Sequence, residues 1–117
     1  MTDKSISILD QAEEQFSSIK RKKIEVPEWK TTIYSKPLTL NEKRKLYRNL
    51  RNETQDISLM MVEAIILKSE DKDGKKLFTS DDRERLLNKV DSDVVSDIAT
   101  HILYFKSDSY GVEKKIS

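Results

Sequence analysis

Apolar residues recur at helical spacing near the start of the chain, at Ile6, Leu9, Ala12, Phe16 and Ile19, with Asp10, Glu13 and Glu14 between them. This pattern predicts an amphipathic first helix. It leads into the basic run Lys20-Arg21-Lys22-Lys23, where cations would complement the negative end of the helix dipole. Ile24 and Val26 then alternate with charges up to Pro27, which cannot donate to a sheet ladder, so a short edge strand leaving through a turn is expected. The β-branched cluster Thr31-Thr32-Ile33-Tyr34 predicts its partner strand. A two-stranded hairpin is marginal alone, so its apolar face must rest on helices, anchored by Trp29 or Ile33.

Thr39 and Glu42 match the T-x-x-E capping box and place a helix from Leu40 to about Leu50, with Leu46, Tyr47 and Leu50 on one side. The next segment, from about Ile57 to Lys68, is apolar around most of its circumference, as expected of a central or interface helix. A polar turn from Glu70 to Lys76 returns Leu77 and Phe78 to the body. Thr79 or Ser80 caps a short helix ending near Asn88. Asp91 or Ser92 caps a last one through Val94, Val95, Ile98, Ile102 and Phe105. The expected fold is mainly α, of α+β type: a small helical domain with a short N-terminal β-hairpin packed on helices. Residues 1–105 form that domain, and 106–117, which lack periodicity, are expected to be a flexible tail.

At 117 residues, the chain suffices for one modest core without metal or disulfide staples. It has no cysteine, which excludes disulfides, thiolate zinc sites and a cysteine nucleophile, and fits a reducing interior. The longest apolar run is too short to span a bilayer, and no signal-peptide pattern opens the chain. A cytoplasmic protein with no membrane partner is expected. The 22 basic and 21 acidic residues nearly cancel, but residues 1–51 carry 12 against 7 (net +5) and residues 52–117 carry 10 against 14 (net −4). Such a split can bind anions and can equally favour head-to-tail contact between copies; a homo-oligomer is expected.

Catalytic chemistry finds little support. Aligning Asp71-Lys72-Asp73-Gly74 with a calcium loop puts Ser69 at the first ligand position and Ser80 where a bidentate glutamate belongs, so it reads as a polar turn. His101, the single histidine, has no companion at ligand or triad spacing. With only two glycines there is no Walker loop, dinucleotide fingerprint or nucleophile elbow. Neither an enzyme nor a cofactor is expected. Lys43, Arg44, Lys45, Arg48 and Arg51 are interleaved with Leu46, Tyr47 and Leu50, as on a solvated amphipathic helix face, so nucleic-acid binding is the weaker reading.

Ile24-Glu25-Val26-Pro27-Glu28-Trp29, Ile33-Tyr34, Pro37-Leu38-Thr39 and Asp73-Gly74-Lys75-Lys76-Leu77-Phe78-Thr79 occur in an order that resembles the tail assembly chaperones of long, non-contractile-tailed phages and prophages. The resemblance covers roughly residues 5 to 105, with the last turn similar to that family's E-D-G-K-x-L-F-T. It implies a non-enzymatic protein that binds the long, helical, apolar tape measure protein before the tail tube polymerises. Such a chaperone keeps its partner soluble and helps recruit tail tube protein, mainly through a longer frameshift product, of which this chain corresponds to the short form. The family acts in the host cytoplasm and is absent from the mature virion. Trp29, Tyr34, Leu46, Tyr47 and Met61 are the expected partner-binding surface, although residues of these types equally suit the monomer core. The alternatives are a small nucleic-acid-binding or regulatory protein, or a minor structural tail or connector protein.

Overall fold

A computed structural model describes residues 7–50 and 56–104. The chain runs α1 (Ile8–Ser17), β1 (Lys22–Val26), β2 (Thr31–Ser35), α2 (Leu40–Tyr47), α3 (Ile57–Lys68), α4 (Arg83–Asn88) and α5 (Ser92–Leu103). Short 3-10 turns lie at Pro27–Trp29, Arg48–Leu50 and Ser80–Asp82. The mainly helical α+β architecture is the one the residue pattern predicts. Phe105, the expected end of the last helix, and the tail 106–117 lie outside the described residues, as does Ile6.

The core is built on α3 and α5. Met60, Val62, Ala64, Ile65 and Ile66 of α3 are buried, and from α5 Val94, Val95, Ile98, Ala99, Ile102 and Leu103 meet them. Each large side chain so buried stabilises the fold by roughly 1.5–3 kcal/mol relative to exposure. Asp56 and Asp91 cap these two helices, accepting from the amides of Leu59 (2.9 Å) and Asp93 (2.8 Å). Leu86 of α4 closes one side of the core, and the Arg83–Glu63 ion pair ties α4 to α3.

The hairpin covers another side. Its antiparallel register runs from Lys22 opposite Ser35 to Val26 opposite Thr31, with Ile24 facing Ile33. Period-two alternation puts Ile24, Val26, Ile33 and Ser35 on the buried face. Pro27 opens the connecting turn, which Lys30 closes in the left-handed region at φ 53°. Ile33 is fully buried, whereas Trp29 packs half-buried at the rim, so Ile33 is the anchor.

The basic run corrects one expectation. The first helix stops at Ser17, and Lys22 and Lys23 belong to β1 rather than to a helix end. Pairing with Tyr34 and Ser35 extends the strand backwards, and the Lys22 ammonium donates to the His101 carbonyl of α5 at 3.3 Å. Sheet hydrogen bonds and this cross-element contact outweigh the small dipole term. Helix α1 itself buries none of its residues.

The capping box that begins α2 is present as read. Thr39 accepts from the Glu42 amide (3.1 Å), and the Glu42 carboxylate accepts from the Thr39 amide (3.0 Å) and from the Lys68 ammonium of α3 (3.0 Å). Burial raises the Glu42 pKa, but the Thr39 backbone bond and Lys68 outweigh it, and the carboxyl is held below its ordinary value. A lowered folded-state pKa adds stability that is complete above the unfolded value and is lost as pH falls through the folded one. Glu42→Gln is therefore expected to cost about 1 kcal/mol at neutral pH in urea denaturation, with the two proteins converging as pH falls through the lowered Glu42 value. A gap that persisted in acid would deny the carboxylate this role.

Candidate interaction surface

Helices α3, α4 and α5 leave between them an open cleft of about 100 Å³, lined by Ser58, Met61, Val62, Leu86, Leu87, Val90, Ser92, Val95 and Ser96. Its base is core, formed by Val62, Leu86 and Val95. Its rim is mixed, with the apolar Leu87 and Val90 and the hydroxyl-bearing Ser58 and Ser92 open to solvent. The Ser96 hydroxyl donates weakly to the Met61 sulfur, at 3.5 Å, on the cleft lining. Apolar side chains over a packed floor, beside three serine hydroxyls and no charged group, suit a mostly apolar segment of a partner.

The five expected contact residues do not form one surface. Met61, half-buried, lines the cleft and is the one of the five that does. Leu46, in α2, is 3% exposed and belongs to the core. Tyr47 and Trp29 are half-buried against the same core. Tyr34 lies on β2 with its ring beneath the Arg21 guanidinium, 4.8 Å from the ring centroid. Each is engaged by the monomer.

Sequence reasoning missed Leu87 and Val90. The signal was the adjacent pair Leu86-Leu87 in a six-residue helix, where neighbours point about 100° apart and one must leave the core. Exposed apolar residues also cluster elsewhere: Ile8 and Leu9 on α1 and Leu40 at the start of α2.

Asp71 and His101 each have neighbours within the fold. The Asp71 carboxylate accepts from the amides of Asp73 (2.8 Å) and Lys75 (2.9 Å), folding the turn upon itself as an Asx turn does. Gly74 occupies the positive-φ position of that turn at 89°. His101 is half-exposed, with Nε2 3.9 Å from Asp97 one turn earlier on the same helix. Among the described residues no three His, Cys, Asp or Glu side chains are grouped to hold a metal ion, and no helix is long and apolar enough to cross a membrane. No protein-family model, curated protein or solved structure matches this chain.

Proposed function

We propose that this protein is a tail assembly chaperone, which binds the apolar, helical tape measure protein in the host cytoplasm and is left out of the finished virion. The action is binding without catalysis. The open cleft between α3, α4 and α5 takes apolar side chains of a tape measure helix, keeping the partner soluble until tube subunits are recruited through a longer frameshift product.

The observation that carries the reading is the order of motif residues, together with the structural jobs they perform. Val26-Pro27-Glu28-Trp29 turns the hairpin, Pro37-Leu38-Thr39 enters and caps α2, and Asp73-Gly74 through Thr79 makes the turn and cap before α4. The apolar part of the rim, at Leu87 and Val90, adds a surface fit for the partner.

Co-expression with the tape measure protein encoded downstream in the same genome tests it. A soluble complex is expected to co-purify. Leu87→Asp combined with Val90→Asp, at two exposed positions, is expected to leave the fold intact and recover at least about tenfold less partner. A tape measure that stays insoluble beside folded wild-type chain would overturn the reading. Charge reversal at Lys43, Arg44 and Arg48 with a salt titration would then probe nucleic-acid binding.

A further inference from the structure

The cleft between α3, α4 and α5 has an apolar floor, and its charge lies just outside the lining. Glu84 precedes Leu87 by three residues on α4, and Asp93 precedes Ser96 by three on α5. Each carboxylate therefore stands one turn from a lining residue on the same helix face. Both residues are exposed. The Glu84 carboxylate accepts from the Asn88 side-chain amide at 2.8 Å, a neutral donor that leaves its charge in place. The mouth also lies at the starts of α3 and α5, where Ser58 and Ser92 line it and Asp56 and Asp91 are the caps. Those caps offset the partial positive charge of the two helix ends, so the negative surplus comes from Glu84 and Asp93.

The cations of α4 do not cancel that surplus. Arg83 is paired with Glu63, and Arg85 lies about 160° round the helix from Leu87. Of the bases on or beside α4, Lys89, next to the rim residue Val90, is left to set against the two carboxylates. The acidic border also decides against the chain's own uncovered helix as occupant. Helix α1 brings Asp10, Glu13 and Glu14 and no cation, so like charges would meet. We propose that the cleft selects a helix whose apolar stripe is bordered by lysine or arginine, and that the tape measure segment it holds is of this basic amphipathic kind. That identity rests on the chaperone function proposed for the chain, whereas the charge preference belongs to the cleft itself. Apolar side chains of the occupant lie against Met61, Leu87 and Val90, and its cations reach over Glu84 on one bank and Asp93 on the other. Exposed pairs contribute little each, so apolar contact supplies most of the affinity and charge supplies the choice of partner.

Fluorescence anisotropy of the full chain with two labelled synthetic peptides tests it. The peptides match in length, helicity and leucine stripe, and the stripe is bordered by lysines in one and by glutamates in the other. The lysine peptide is expected to bind at least about tenfold tighter at about 50 mM salt, with the margin narrowing at about 500 mM. Glu84→Lys combined with Asp93→Lys, both exposed, is expected to reverse the preference. Should the second change loosen the start of α5 in circular dichroism, Glu84→Lys alone, outside any cap, is expected to reduce the preference by several-fold. Leu87→Ser with Val90→Ser alters no charge and is expected to weaken the lysine peptide by about tenfold, which places it in the cleft. Equal affinity for the two peptides, no binding of either, a preference that survives the reversals, or binding untouched by the serine pair would each overturn the proposal. A tape measure complex that forms but ignores salt and the reversals would overturn it too, and leave the chaperone function standing. A tape measure that stays insoluble beside a chain that discriminates the peptides would overturn that function and leave the cleft's preference in place.

Discussion

Ile65→Ala is expected to remove roughly 2–5 kcal/mol of folding stability, a large share of the 5–15 kcal/mol typical of a whole domain. Ile65 is 0% exposed at the centre of α3, and Ile33, Ile98 and Ile102, from the hairpin and α5, are buried as completely. Truncation loses both the transfer free energy of the removed carbons and the contacts of the cavity left behind. The surrounding layers come from separate elements, so no single side chain can swing in to fill the gap. Ile57, in the first turn of the same helix and 57% exposed, is the internal control. Ile57→Ala is expected within about 0.5 kcal/mol of wild type. Urea denaturation followed by circular dichroism measures both, and similar midpoints for the two variants would show that α3 is not the centre of the core.

That helix was also the most legible part of the chain. A segment apolar on nearly every side has few places to go other than the middle, and α3 is there. The T-x-x-E box before α2 and the aspartate before α5 were equally readable, because a cap is decided within four residues. What depends on distant sequence was not legible. Lys22 and Lys23 looked like a helix end because the competing strand partners, Tyr34 and Ser35, lie more than ten residues away. Leu46 looked like a candidate contact, since amphipathic spacing gives α2 an apolar face without saying whether a neighbour already covers it. For α1 the same ambiguity ran the other way: its face exists, and none of its own chain's core covers it. The cleft escaped notice because it arises from the mutual placement of three helices, which no local pattern encodes.

Arg21→Ala is expected to destabilise the protein by about 2 kcal/mol and to loosen the turn after α3 before the rest unfolds. Arg21 sits in the basic run yet acts across the fold. One guanidinium nitrogen donates to the Glu70 carboxylate (3.0 Å) and the Asp71 carbonyl (2.9 Å), and the other donates to the Lys72 carbonyl (2.7 Å). Its plane rests over the Tyr34 ring. Glu70 in turn exchanges two backbone hydrogen bonds with Tyr34, each 2.8 Å, so the turn is stitched to the outer edge of β2. Removing the guanidinium leaves the part-buried Glu70 carboxylate short of a donor, while the Asp71 carbonyl keeps the Gly74 amide and the Lys72 carbonyl faces solvent. Arg21→Lys keeps the charge but has neither the fork to reach both carbonyls nor the flat face to stack, so it is expected to recover less than half of the loss. Denaturation midpoints and amide exchange at Gly74 and Lys75, whose N–H groups close the turn, measure the two effects separately. If lysine restores wild-type stability, charge alone suffices and the fork is idle. If exchange in the turn stays slow in the alanine variant, the Asp71 side chain holds the turn without help from the first strand.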